Sequence, residues 1–113
     1  MSDACLFCRI VAGEIPATEV YRTPTVVAIR DIGPQAPTHV LVIPRQHVES
    51  LNAVEDSGVL GDLLLAAREV ARMERVDGRG YRVVINTNAE AGQSVPHLHL
   101  HVLGGRAMAW PPG

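Results

Sequence analysis

The chain of 113 residues is long enough for one compact domain and too short for two. With 47% apolar and 19% charged residues it has the composition of a folded globular protein and not of a disordered one. A formal charge of −2, with ten basic residues scattered from Arg9 to Arg106, excludes a massed basic surface for a nucleic-acid polymer.

No cationic segment followed by an apolar run opens the chain, and no stretch approaches the ~20 apolar residues of a membrane span, so a cytoplasmic location without a membrane partner is expected. In a reducing compartment the pair Cys5-x-x-Cys8 is more often metal-binding or redox-active than a structural disulfide. Asp3 is placed to cap a short helix running through Ile10 and Val11, with Gly13 where a helix end wants a left-handed residue and Pro16 forbidding continuation. Glu19–Arg22 and Thr25–Asp31 read as strands of a hairpin around Thr23-Pro24. Gly33–Pro37, with two prolines, must be a loop, and a strand follows from His39 to Ile43.

Between Asn52 and Glu74 the residues Leu60, Leu63, Leu64, Ala67, Val70 and Ala71 recur at helical spacing, with Asp56 or Ser57 as the cap. Tyr81–Thr87 reads as a strand after the Gly78–Gly80 turn, Asn88–Pro96 as a loop, and Leu98–Leu103 as the last strand. These elements predict an α+β domain, residues 1–113: an antiparallel sheet of about five strands, one long helix and one short N-terminal helix.

The run His97-Leu98-His99-Leu100-His101-Val102-Leu103 alternates with period two, which predicts three imidazoles on one strand face about 7 Å apart, with Leu98, Leu100 and Val102 facing the core. Such a cluster serves either a metal held by neutral imidazoles or an imidazole nucleophile and proton shuttle near neutral pH. Spacing alone does not choose between them. Gly92-Gln93-Ser94, just upstream, offers a hydroxyl and an amide suited to a phosphate and its leaving group.

His97–Val102 continued by Leu103-Gly104-Gly105 resembles the motif of the histidine-triad family. The stretch Asp31 through Pro44 resembles the Hint branch of that family, as do Gly13–Pro16, Gly92–Ser94 and the closing Trp110-Pro111-Pro112-Gly113. The resemblance covers nearly the whole chain. It implies a purine nucleoside phosphoramidase-like hydrolase without a catalytic metal, in which His99 attacks the α-phosphorus to give a nucleotidyl-histidine intermediate that water then resolves. Carried over by position, it implies that His39 and His101 orient and polarise the nucleophile. Ser94 and Gln93 would serve the phosphoryl and leaving-group atoms, and Asp31 would hold the ribose. Leu6, Phe7, Ile10, Ile29 and Ile32 would line the base pocket, with Asn86 near ribose and phosphate.

Some members of the family, and the related uridylyltransferases, resemble this chain in using the first histidine of the motif as a zinc ligand. Cys5, Cys8, His47 and His97 make a closed tetrahedral set for a structural Zn²⁺, with a pair of reduced thiols as the plain alternative. An open sheet edge at Tyr81–Thr87 and an apolar stripe over Leu60–Ala71 predict a two-fold homodimer, and in similar proteins the tail bearing Trp110 reaches the partner's site. Three other readings stay open: a dinucleoside polyphosphate hydrolase of the same family, a nucleotide-binding regulator with vestigial catalysis, and a hydrolase whose zinc is held by all three triad histidines.

Overall fold

A computed structural model describes residues 5–113, so the expected cap Asp3 lies outside the described residues. Helix α1, Leu6–Val11, is capped instead by Cys5, whose Sγ accepts the amide of Cys8. Gly13 closes it as expected, at φ 81°, with the Gly13 amide on the Ile10 carbonyl and that of Glu14 on Arg9. Strand β1, Glu19–Arg22, turns through Thr23-Pro24 into β2, Val26–Arg30, and the Thr23 hydroxyl takes the amides of Thr25 and Val26 in the turn. Strand β3, Thr38–Pro44, is buried along its whole length.

A single 3₁₀ turn, Leu51–Ala53, precedes helix α2, Ser57–Met73, whose N-cap is Asp56 with its carboxylate on the Gly58 amide. The cap is one of the two expected from the sequence. Its buried stripe is Leu63, Ala66, Ala67, Val70 and Ala71. Leu64, expected in that stripe, is 51% exposed, because one residue past Leu63 the side chain has turned about 100° round the axis. Strand β4, Tyr81–Val84, is shorter than expected, and the presumed loop after it contains one helical turn, α3, Asn88–Ala91. A four-residue helix carries too little periodicity to show in a sequence. Strand β5, Leu100–Gly104, completes the chain's regular structure.

The five strands form one antiparallel sheet in the order β1-β2-β3-β5-β4. Its two faces bury different things. Val26, Ala28, Val40, Val42, Leu100 and Val102 point to α2, forming the main core with Leu63, Val70 and Leu98. Val27, Ile29, Leu41 and Ile43 point the other way, against Cys5 and Phe7 at α1. The histidines lie on that second face, away from the long helix.

Candidate active site and metal centre

Alternation puts Leu98, Leu100 and Val102 in the core as expected. His97 and His99, however, precede β5 and belong to the segment leading into it, so the three rings do not stand in one strand row. The rings of His99 and His101 are 5.1 Å apart, while the His97 ring turns toward α1. The departure has a local cause: the Leu98 amide bonds the Val48 carbonyl, outside the sheet ladder, at 2.6 Å.

The proton on each ring follows from what its neighbours are able to do. His97 Nε2 lies 2.9 Å from the Pro44 carbonyl, which can only accept, so Nε2 carries the proton and Nδ1 is bare. His99 Nδ1 lies 2.7 Å from the His97 carbonyl, so here Nδ1 carries the proton and Nε2 is the free lone pair. The Gln35 amide donates to His39 Nδ1 at 3.0 Å, which leaves the His39 proton on Nε2, 2.9 Å from His101 Nδ1. His101 must then accept through Nδ1 and carry its own proton on Nε2. His99 and His101 thus bring a bare nitrogen and a donating nitrogen to neighbouring positions.

Burial drives His39, His97 and His101 toward neutrality. It lowers the pKa of His39 against the opposing pull of Asp31, whose Oδ2 lies 3.4 Å from His39 Nε2. Burial first, then the charges of His99 and His39, lower that of His101 to about 4. A neutral His101 keeps its Nε2 proton available as a donor at pH 7.

His99 and His101 open onto a cleft of about 320 Å³, at the small end of ligand pockets. Its walls include every one of the five expected apolar residues, Leu6, Phe7, Ile10, Ile29 and Ile32, together with Asp31 and Ser94. Phe7 stands edge-on to His99, ring centres 4.9 Å apart. Asp31 has one oxygen occupied by the Gly33 amide and presents the other toward His39. The sequence reading missed Leu41, Val95 and Ile15-Pro16-Ala17 as lining residues. Leu41 was legible in principle, since it alternates with His39 along β3 and pairs with His101; the Ile15–Ala17 segment carries no such signal.

Three expected contacts are not assembled around this cleft. The Gln93 side chain is turned into its own loop, with Oε1 on the Asn88 amide and Nε2 on the carbonyls of Glu49 and Val95, because these backbone groups have no strand partner. Asn86, just past the end of β4, and Trp110, 82% exposed in the single chain, do not line the cleft either.

Cys5, Cys8, His47 and His97 converge, their ligand atoms all within 4.8 Å of one another. Individual separations are 3.3 Å for Cys5 Sγ to His97 Nδ1, 3.2 Å for Cys8 Sγ to His47 Nδ1 and 3.2 Å between the two Nδ1 atoms. Zinc bonds of about 2.3 Å to sulfur and about 2.0 Å to nitrogen give tetrahedral edges of about 3.3–3.8 Å, so the set fits a closed Cys₂His₂ zinc site. The proton on His97 Nε2 leaves Nδ1 ready to ligate. Burial and the neighbouring Cys5 push the Cys8 thiol up to about 11, the environment that a bound cation would reverse.

A zinc held by all three triad histidines is excluded by the same hydrogen bonds, since His97 and His99 face different partners. Asp31, His39 and His101 also converge. There, however, a metal on His39 Nε2 would need the proton on Nδ1, the position that the Gln35 amide occupies. His39 and His101 are a hydrogen-bonded pair, with Asp31 Oδ2 3.4 Å from the shared His39 nitrogen.

The fold and the site together define a small α+β protein with a buried histidine, His99, that bares one ring nitrogen, a paired histidine donor and an adjoining Cys₂His₂ centre. A family model described as the HIT domain matches residues 12–108. The chain is 48% identical over 115 residues to an uncharacterized HIT-like protein of Synechococcus elongatus, with both chains fully covered. It is also 48% identical over 112 residues to a 14 kDa zinc-binding protein of Zea mays, covering 96% of this chain and 87% of that one. The crystal structure of a HIT family hydrolase from Legionella pneumophila superposes with a TM-score of 0.94 at 51% identity, over 96% of this chain and 99% of the other. A histidine triad protein from Clostridium difficile gives 0.91 at 37%, with 95% of each chain covered. The chain belongs to the HIT family.

The depressed pKa values carry a sign for stability. Folded His101 releases its proton near 4 and an unfolded histidine near 6.5, so between these values the unfolded chain binds more protons. Stability is therefore present above pH 6.5 and falls as pH drops toward 4. In metal-free protein the midpoint of thermal unfolding is expected to fall from pH 7 to pH 5, and the fall to be smaller in His101→Gln. Equal slopes in the two proteins would show that His101 is not the group responsible.

Proposed function

We propose that this chain is a Hint-like nucleotidyl hydrolase, cleaving the bond between the α-phosphorus of a purine nucleoside monophosphate and an amine or other leaving group. The observation that carries the reading is the His99 Nδ1 hydrogen bond to the His97 carbonyl, which leaves Nε2 as a bare nucleophile at the mouth of the cleft. The names of the Legionella relative, a hydrolase, and of a histidine triad nucleotide-binding protein from Candida albicans support the same class.

His99 Nε2 attacks phosphorus as the bond to the leaving group breaks, and the leaving nitrogen takes a proton relayed from solvent water through the Ser94 hydroxyl at the rim of the cleft. The positive charge that develops on the His99 ring is stabilised by the His97 carbonyl, and the Nε2 proton of His101 is directed at a phosphoryl oxygen. Water then attacks phosphorus on the opposite side, giving the nucleoside monophosphate and restoring the bare Nε2. Phe7, Ile10, Ile29 and Leu41 supply apolar walls for a base, and the Asp31 carboxylate, which also lines the cleft, has lone pairs left to accept from ribose hydroxyls.

Zinc in the Cys₂His₂ centre would have no open position and would serve the fold. Cys5, Cys8, His47 and His97 would hold it, tying α1 to the segment that carries His99. A two-fold homodimer is part of the same reading. Strand β4 is a sheet edge, α2 leaves Leu64, Leu65 and Met73 exposed, and Trp110 stands in water on a tail that Arg82 anchors through the Ala109 carbonyl. We place Tyr81–Thr87 and Leu60–Ala71 against their symmetry mates, with the tail beside the partner's cleft.

With an adenosine phosphoramidate as substrate, His99→Ala is expected to lower kcat by at least about 10³-fold while nucleoside monophosphate still binds. Acid quenching of the wild type with a slow substrate should leave a mass increment of one nucleotidyl group on the peptide holding His97–His101. Retained turnover, or an adduct elsewhere, would refute the role of His99.

Refolding with zinc should load one ion per chain, release protons from the thiols and bind more tightly as pH rises, by titration calorimetry. Cys5→Ser with Cys8→Ser should lower the unfolding midpoint more than it lowers kcat. Light scattering should give twice the chain mass at micromolar concentration, and truncation after Ala107 should change selectivity among leaving groups; a monomer or an unchanged selectivity overturns the shared-site arrangement.

A further inference from the structure

The His39–His101 pair has two internally consistent proton arrangements. With the His39 proton on Nε2, His101 accepts at Nδ1 and offers a donor to the cleft. With the His39 proton on Nδ1, His39 Nε2 is bare, His101 Nδ1 must donate to it, and His101 offers the cleft a lone pair instead. Both satisfy the 2.9 Å contact between the rings. What distinguishes them most directly is the group on the far side of His39, the Gln35 amide, which can only donate and so admits only the first; Asp31 Oδ2, 3.4 Å from His39 Nε2, favours the same arrangement.

Gln35 is an exposed residue in a loop outside the sheet, between Pro34 and Ala36-Pro37. Two contacts inside the loop shape it: the Gly33 amide on the Asp31 carboxylate at 2.7 Å, and the Gln35 side-chain amide on the Gly33 carbonyl at 2.9 Å. Its external clamp comes from the two residues that follow β5. Arg106 Nε donates to the Gln35 carbonyl at 3.0 Å, and the same guanidinium is steadied by a second bond to the Ala107 carbonyl. Gly105 lies at φ 89°, and a Cβ there would stand 2.9 Å from that of Pro37, so the backbone meets the loop at a distance that a side chain would forbid.

We infer that Arg106 and Gly105 are positioning residues for the histidine pair: by clamping Gln35 and Pro37 they hold the Gln35 amide on His39 Nδ1 and so keep the proton of His101 on the nitrogen that faces the cleft. Arg106 touches neither histidine and has no place in the cleft wall. The link from this inference to turnover rests on the hydrolase reading above. The link to proton placement does not.

The test is ¹⁵N NMR of the ring nitrogens in histidine-labelled protein, with His39→Gln and His101→Gln used to assign the signals. In the wild type, Nδ1 of both residues should have the shift of an unprotonated nitrogen and Nε2 that of a protonated one. In Arg106→Ala the Nδ1 and Nε2 shifts of His39 and His101 should move toward each other as the second arrangement becomes populated. Alongside this, kcat should fall by roughly tenfold with KM within about twofold, a partial loss of acid–base assistance. Arg106→Lys, which keeps a donor, should recover part of both.

Gly105→Ala should shift the same signals, and if it does not fold, Arg106→Ala on the exposed surface decides the matter alone. An unchanged ¹⁵N pattern in Arg106→Ala overturns the inference whatever happens to turnover. A shifted pattern in a protein without phosphoramidase turnover sustains the clamp and overturns the hydrolase reading instead.

Discussion

His97 joins the two halves of the site, and the rest of the chemistry depends on how its polar groups are divided. Its ring proton is fixed by the Pro44 carbonyl, its bare ring nitrogen faces Cys5, Cys8 and His47, and its main-chain carbonyl holds the proton of His99. A buried imidazole with an unmet nitrogen would be costly, and here both nitrogens have partners. The residue that completes the metal centre is therefore also the one that bares Nε2 of His99.

The sheet makes this arrangement affordable. On one face, β2, β3 and β5 pack Val, Ala and Leu side chains against α2, where most of the apolar burial lies. The opposite face is released from that task and can collect histidines, cysteines and a cleft between the strands and the short helix α1. Placing β5 between β3 and β4 matters for the same reason, because it sets His101 across from Leu41 and within reach of His39, the neighbouring residue on that face of β3.

Protons in the site are directed by main-chain groups more than by charged side chains. Pro44, His97 and Gln35 each contribute one backbone group of unambiguous polarity, and those three groups determine which nitrogen of four histidines donates and which accepts. Burial then lowers the pKa of His39, His97 and His101, with Asp31 as a modest counterweight at His39 and His101. A site organised in this way is sensitive to the placement of loops that never touch a substrate.

Periodicity made much of the fold legible in the amino-acid sequence. The alternation from His97 to Leu103, the helical spacing from Leu63 to Ala71 and the breaks at Gly13, Pro16 and Gly33–Pro37 are local signals, and each describes an element correctly to within a few residues. The cysteine pair and the five histidines of the two centres are likewise visible as residue types. What local signals could not convey is which ring faces which neighbour. His47 and His97 are separated by fifty positions yet lie 3.2 Å apart, His97 turns out of the strand row, Gln93 folds into its own loop, and Gln35 and Arg106 meet across 71 positions. Those relations arise when the sheet closes and every buried donor must find an acceptor. The sequence by itself determined the elements and the chemical inventory, through backbone preference and hydrophobic period, while the tertiary structure alone decided the direction of each proton, because hydrogen-bond polarity depends on partners that only folding brings together.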